Sequence, residues 1–514
     1  MAITSQESST SAELARAEPE PGADPRPLQL VWWLATPFLT GLVIMALELV
    51  AFRLYAPYFG YSIYVWGGMI SVVMVALALG YAIGGWMADR SQTDKSLYGV
   101  LLFAAFYQLG ILFTLGSLLR FFAHRGEFSG AVFASLIIFA PPMTAMATAG
   151  PFLIRLLAHS GRVGSTAGRI YALSTVGGIA GILATSFFLV PHFGTQRTLE
   201  TICIVSALTA LAGLAMRLPA ALLALVPLSA LLWSVPTTLW PANTLWAVES
   251  PYNLVRVVRN GRWLILKLND ERGVHTIRDE RTGWTGHYYD DFALGPLLVP
   301  AQRLLVLGMG GGSSIASTRV TAPDIDTDAV EIDPRVVEAA SRFFGLKLED
   351  PKLRVHIADA RPWLASNSDH YDLVHLDLYQ GGPYIPFYLV TVEFFQAVHA
   401  HMSDNSLLLM NVFDTGRNHE LLASTAATLE RVFPTVIDLA VGSGNHLLLA
   451  SPQTGSAPAM KARLMNYQGN EMVQRMARHA AAQMTDFEAP SGTVVFTDDF
   501  APVEEMTHRM LEGE

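Results

Sequence analysis

Cysteine is almost absent from this 514-residue chain: the single residue, Cys203, excludes a disulfide framework and a cysteine metal site. Charge is scarce as well. Lys, Arg, Asp and Glu make up 15% of the residues against 51% hydrophobic ones, and the mean hydropathy is +0.35. Such a balance would be extreme for a soluble protein, but it is ordinary once half the chain faces lipid. A basic excess is missing too, with 34 Lys and Arg against 44 Asp and Glu and a net charge of −10. Phosphates require a basic footprint, so a nucleic-acid partner is not expected. The first 29 residues, rich in Ser, Glu, Ala and Pro, lack the apolar core of a signal peptide and read as a disordered tail.

What is present in quantity is long apolar runs. Between residues 30 and 246 they recur with short polar connections, each approaching the ~20 residues that cross a bilayer. Seven spans are expected, near 30–54, 62–87, 97–121, 129–156, 168–191, 198–216 and 218–240. The chain thus divides into a tail (1–29), a helical membrane bundle (30–246) with the lipid bilayer as partner, and a soluble domain (247–514). The tail and bundle hold 12 basic and 10 acidic residues, which leaves 22 basic and 34 acidic residues in the soluble domain. That surplus of acid suits cationic substrates, although acidic surfaces also serve solubility alone.

Lys and Arg in the connections fall unequally on alternate sides. Eight (Arg16, Arg26, Arg90, Lys95, Arg155, Arg162, Arg169, Arg217) oppose three (Arg120, Arg125, Arg197), which puts the amino terminus in the cytoplasm. A multi-pass protein of the inner (plasma) membrane is expected. Seven spans then carry the soluble domain outside, whereas the cytosolic nucleoside pool favours the cytoplasmic face, and on that chemistry the cytoplasmic face is expected. Within the spans, Glu48 and Arg53 are candidates for substrate handling, or for interfacial snorkelling and helix contact. Gly80, Gly84 and Gly85, with Gly177, Gly178 and Gly181, offer small faces on which helices can pack.

The soluble domain opens with SPYN (250–253) and two β-rich runs joined by Asn260 and Gly261, the signature of a hairpin and hence of a small β layer. A strand RLLVLG (303–308) then meets Gly308, Gly310, Gly311 and Gly312, where backbone can approach a ligand at a helix start. Glu331 ends the next strand 23 residues beyond Gly308, a spacing suited to a carboxylate that accepts both ribose hydroxyls. Asp333 and Pro334 supply a cap and first turn for a helix. The third dinucleotide glycine is missing, which favours an S-adenosylmethionine-type ligand over NAD. Asp359, followed by Ala360, ends LRVHIA (353–358), aimed at an adenine amine or simply capping a helix. Asp377 closes the apolar strand YDLVHLDL (371–378), at the carboxyl end of a central strand where open α/β sheets bind their ligands. The fold expected is a Rossmann-like, methyltransferase-type α/β domain behind the small β-hairpin layer.

From about residue 249 to 412 these motifs resemble the spermidine synthases, the polyamine aminopropyltransferases, and more closely their bacterial membrane-fused relatives. YALSTVGG (171–178) and TDDFAPVE (497–504) are similar to segments of those fused proteins, and the matching positions include Tyr252, Gly308, Gly310, Glu331, Asp333, Asp359, Asp377 and residues 389–395. The resemblance implies a co-substrate, S-adenosylmethionine or its decarboxylated form, held by Asn253, Gly308, Gly310, Gly311, Glu331, Asp359 and Ala360. It implies Asp377 as general base, no metal, and a small-molecule amine or other nucleophile met by Tyr252, His287, Tyr288, Gln380 and Tyr384. Methylthioadenosine would be released, and a homodimer is compatible with the sequence.

The chain departs from the family pattern at two acids. Gly311 stands where the family carries an aspartate that grips the donor's aminopropyl nitrogen, and Gln380 replaces a second aspartate after Asp377. The segment 279–289 (DERTGWTGHYY) is altered as well, so His287, Tyr288 or Tyr289 either joins the pocket or packs in the hairpin layer. An S-adenosylmethionine methyltransferase or lyase, and a transporter or sensor with a non-catalytic nucleoside domain, stay open as alternatives.

Overall fold

The structure, a computed structural model, describes residues 26–60, 62–91, 93–158, 162–216, 218–226, 243–269, 273–442 and 444–513. The tail to residue 25 and most of the seventh expected span lie outside the described residues.

Six of the expected apolar runs are helical. They form α1 (Pro27–Phe59), α2 (Ile63–Arg90), α3 (Lys95–Ala123), a broken run of α4 (Glu127–Ile138), α5 (Ala140–Ala147) and α6 (Ala149–Leu157), then α7 (Val163–Ala184) and α8 (Val190–Ala215). The fourth run bends by 48° where Phe139 precedes Pro141 and Pro142, whose rings cannot continue the hydrogen-bond ladder. The helical stretch from Val163 to Ala215 is interrupted at Gly194, where φ is 79°. By length and composition four described helices can cross a membrane, or five if the bent pair counts as one.

Glycine sets the closest helix contacts. A Cβ at Gly177 would lie 1.9 Å from the Phe38 carbonyl oxygen, and one at Gly181 2.3 Å from that of Leu42, so α1 and α7 pack backbone to backbone. Gly80 and Gly84 bring α2 equally close to Thr144 and Thr148. Gly85, expected on the same face, meets nothing within 4 Å.

The carboxy-terminal domain has two sheets. The smaller is four-stranded, in the order β1 (Thr244–Glu249), β2 (Leu254–Asn260), β3 (Trp263–Leu268), β4 (Thr276–Asp279), all antiparallel. The expected hairpin exists with its turn displaced by one residue: Asn260 pairs with Trp263, so Gly261 and Arg262 form the loop and only Gly261 takes positive φ. A single left-handed position at the first loop residue is what glycine supplies without steric cost.

The larger sheet is eight-stranded, in the order β12-β10-β11-β9-β8-β5-β6-β7. Its strands are β5 (Arg303–Leu307), β6 (Asp326–Glu331), β7 (Leu353–Ile357), β8 (Tyr371–Leu376), β9 (Met402–Phe413), β10 (Thr435–Val441), β11 (Asn445–Ser451) and β12 (Met484–Asp486). The run β7-β6-β5-β8-β9 is parallel and the far edge antiparallel. Near-continuous buried runs such as 304–307 and 373–376 suit strands covered on both faces. The chain leaves β5 toward β6 and β7 and returns as β8 on its other side, which makes the β5/β8 junction the switch point where such sheets hold ligands.

The domain sits on one end of the bundle. Arg53 near the end of α1 donates to the carbonyls of Ser250 (2.8 Å) and Pro251 (2.5 Å). At the start of α2, the Ile63 amide donates to Glu504 (2.8 Å) and Tyr64 meets His508. Glu127 of α4 accepts the Tyr384 hydroxyl, and the Glu249 carboxylate accepts the Thr195 amide within α8. All these contacts lie at the end where α1 finishes, opposite the end where it begins.

Candidate active site

At the switch point a cavity of about 520 Å³ opens, within the range of small-molecule sites. Its floor is the paired ends of β5 and β8. Gly308 has φ +81°, and a Cβ there would come within 2.3 Å of the Asp377 carbonyl oxygen, so no larger residue fits where the two strand tips meet.

Asp377 is held from both sides. Asn411 on β9 donates to Oδ1 (2.9 Å) and the Tyr288 hydroxyl to Oδ2 (2.9 Å). Burial nevertheless pushes its carboxyl up to about 6, against the pull of those two bonds. Tyr288 itself is pushed well above its ordinary value by burial and by the neighbouring charge of Asp377, so it stays a donor. The carboxylate lines the cavity with room beside it.

Glu331, at the tip of β6, accepts the amides of Met309 (3.2 Å) and Gly310 (3.3 Å) through Oε2 and that of Asp333 (3.1 Å) through Oε1. Burial raises its carboxyl to about 7. Asp359, beyond β7, caps the helix Ala360–Ser366 by accepting the Arg361 amide (3.0 Å), while its second oxygen accepts the Tyr388 hydroxyl (3.1 Å) and faces the cavity. Asp359 therefore caps a helix and lines the cavity at once.

Of the other residues singled out in the sequence, Asn253, Gly310 and Ala360 line the cavity, as do Tyr252, His287, Tyr288 and Gln380. Two do not. Gly311 lies behind Thr276, whose hydroxyl accepts the Gly311 amide (2.8 Å) and whose Cγ2 would be 2.5 Å from any Cβ at that position. No acidic side chain fits there without moving Thr276. Tyr384 turns out of the cavity toward the bundle, where its hydroxyl meets Glu127.

The structure adds lining residues that no motif marked, among them Asn411, Tyr379, Tyr388 and His275. Asn411 left a signal, as a polar residue inside the apolar run LLLMNVF of β9. His275 was hidden in an irregular stretch; its Nε2 has no protein partner among the described residues, and burial, helped by Lys267, lowers its imidazole to about 4. It is therefore a neutral group able to give or take one hydrogen bond. His375, two residues before Asp377, faces the core against Phe292 and not the cavity. Among the described residues no group of three or more His, Cys, Asp or Glu is placed to hold a metal.

Residues 295–442 match the family model of the spermine/spermidine synthase domain. The chain is 29% identical over 282 residues to a probable polyamine aminopropyl transferase of Bifidobacterium longum, covering 52% of this chain and 62% of that protein. It is 33% identical over 156 residues to a polyamine aminopropyltransferase of Vibrio vulnificus, covering 29% of this chain and 50% of that one. Over 147 residues it is also 32% identical to the eEF1A lysine and N-terminal methyltransferase of Mus musculus, covering 27% of this chain and 21% of the other. The chain thus spans about half to three-fifths of the first two relatives.

Proposed function

We propose that this chain, whose residues 295–442 carry a spermine/spermidine synthase domain, is an integral membrane aminopropyltransferase-like enzyme acting on an adenosyl sulfonium. The observation that carries the reading is Asp377: a carboxylate buried at the switch point, fixed by Asn411 and Tyr288, in one cavity with Glu331 and Asp359. An ammonium has no free lone pair, so the acceptor must lose a proton before its nitrogen can attack. Asp377 both attracts the cation and takes that proton. The nitrogen then bonds to the carbon next to sulfur, the carbon–sulfur bond breaks, and its electrons return to sulfur, which leaves as neutral methylthioadenosine. Because the positive charge on sulfur vanishes, positioning and desolvation contribute much of the rate. Glu331 takes the ribose hydroxyls and Asp359 the adenine amine.

A methyl-transfer reading has its own support. With Thr276 filling the space beside Gly311, no carboxylate waits there for a donor aminopropyl nitrogen, and intact S-adenosylmethionine meets no repulsion from one. Purified full chain incubated with decarboxylated or intact S-adenosylmethionine, with and without putrescine, separates the two by product mass. Amine-dependent methylthioadenosine supports aminopropyl transfer, S-adenosylhomocysteine supports methylation, and the absence of both products leaves neither reading standing.

The bundle is inserted in the inner membrane on this reading. The soluble domain rests on the end bearing Arg120, Arg125 and Arg197, away from the end with Arg90, Lys95, Arg155, Arg162 and Arg169, which favours the extracytoplasmic face over the cytoplasmic one expected from nucleoside supply. Cys203 is buried, so single cysteines introduced at exposed positions such as Met465 report the side cleanly. Labelling of such a cysteine in intact cells by an impermeant thiol reagent is expected; labelling only after lysis returns the domain to the cytoplasm.

A further inference from the structure

We propose that two charged side chains of the membrane bundle, Arg53 and Glu127, are positioning residues of the active site, each holding one of the two loops that form its rim. The inference rests on the reading of the cavity as a nucleoside site. Residues 250–253 form one side of the rim, with Tyr252 and Asn253 on the cavity; residues 380–386 form another, with Gln380, Gly382 and Pro383 on it.

Arg53 grips the first loop through its backbone. Nη1 and Nη2 donate to successive carbonyls, Ser250 and Pro251, at 2.8 and 2.5 Å, a two-pronged contact that the planar guanidinium makes and an ammonium does not. Its charge is balanced at 3.9 Å by Glu249, itself anchored to the Thr195 amide by both oxygens at 2.9 Å. From that loop the path to the ligand side is short. Ser250 Oγ (2.6 Å) and Asn253 Nδ2 (2.8 Å) both donate to one oxygen of buried Asp333, whose amide donates to Glu331 (3.1 Å).

Glu127 grips the second loop through a side chain. Its carboxylate accepts the Tyr384 hydroxyl, and the Tyr384 ring lies against Gly60 at the end of α1, where a Cβ would come within 3.3 Å. The Tyr384 carbonyl accepts the Gln380 amide (3.0 Å), which closes the loop on itself. Asn269 ties the two rims together, donating to the Gln380 carbonyl (3.2 Å) and to Asn253 Oδ1 (2.7 Å). Two charges from different helices therefore hold the two ends of one hydrogen-bonded path along the cavity rim, through which a shift of either helix end reaches the groups that meet the ligand.

The test uses full chain in detergent, methylthioadenosine as the calorimetric probe, and thermal melting as the control for folding. Arg53→Met, Glu127→Ala and Tyr384→Phe are each expected to weaken nucleoside affinity by about 10-fold, as the loss of a hydrogen bond to a charged group does. Glu127→Ala combined with Tyr384→Phe should cost no more than either alone, because both remove the same bond. Glu127→Gln, which keeps an acceptor oxygen, recovers most of the affinity, whereas Arg53→Lys, with no fork, does not. Variants that melt lower but bind as wild type would reduce both residues to glue between domains and overturn the proposal. A wild type that binds the nucleoside without turning over any donor would sink the transferase reading while these affinities still decide the clamp; a wild type that binds nothing would sink both.

Discussion

The two halves of this chain use the same residue types for opposite purposes. In the bundle, Gly177 and Gly181 let α7 lie against the backbone of α1, so glycine there removes a side chain to bring helices together. In the carboxy-terminal domain, Gly308 and Gly310 take positive φ at the tip of β5, so glycine there turns the chain away from a space that a ligand can fill. Charge divides in the same sense. The bundle keeps Arg53 and Glu127 at its end, facing the other domain, whereas the carboxy-terminal domain buries Asp377 and Glu331 in a cavity that pushes both carboxyls upward. A buried acid with no countercharge is a cost that packing does not require, which is why Asp377 carries the proposed chemistry.

The contrast breaks first if Asp377 is dispensable. Asp377→Asn keeps the shape and one acceptor oxygen but cannot take a proton, and turnover is expected to fall by about 10²–10⁴-fold, the usual contribution of a positioned base. Nucleoside binding, measured by calorimetry, should stay within a few-fold of wild type. Turnover at the wild-type rate would mean that this acid is buried for some reason other than proton transfer.

Glycine in the bundle gives the next largest effect. Gly177→Leu drives a side chain into the Phe38 carbonyl, and the cost should reach at least the ~1–3 kcal/mol of ordinary overpacking, read as a lower melting temperature in detergent. Gly85→Leu, which points into open space, should melt as wild type. Equal effects from the two would deny that close helix approach is what these glycines serve.

Much of this arrangement was legible beforehand because strand tips announce themselves. A β-rich run ending in an acid, as at Glu331, Asp359 and Asp377, combines two signals, strand pattern and position, most plainly in the buried apolar strand before Asp377, and the apolar helical runs of the first half are long enough to be read without fine detail. What escaped was contributed by elements with no run of their own. Asn411 reaches Asp377 only because β9 lies beside β8, a neighbour relation that pairing decides and spacing does not. Gly311 fits the ligand motif but turns its one open side to Thr276 on the other sheet. Tyr384 follows β8 closely in sequence, yet it donates to Glu127, 257 residues earlier and in the bundle.

Acidity offers a finer probe of the contrast. If the groups that must be ionised are Asp377, held near 6, and the ribose-binding Glu331, held near 7, then kcat/KM should be flat above about pH 8 and fall as pH drops through 7 and 6, with the limb near 6 belonging to Asp377. A carboxylate at its ordinary value would keep the rate level down to about pH 4. A profile still flat at pH 5 would separate the buried acid from catalysis.

The smallest expected effect concerns the bond that tunes this acid. The Tyr288 hydroxyl donates to Asp377 Oδ2 at 2.9 Å and favours the ionised form, opposing the burial that disfavours it. Tyr288→Phe removes the donor and leaves the ring, so the Asp377 carboxyl rises further and the acid limb of kcat/KM moves to higher pH. Above the shifted limb the rate should return to within a few-fold of wild type, because Asn411 still holds Oδ1 and keeps the carboxylate in place. The alternative is that Tyr288 acts on the acceptor itself. In that case the limb stays where it is and the plateau drops at every pH, so one profile of one variant tells whether this tyrosine tunes the base or touches the substrate.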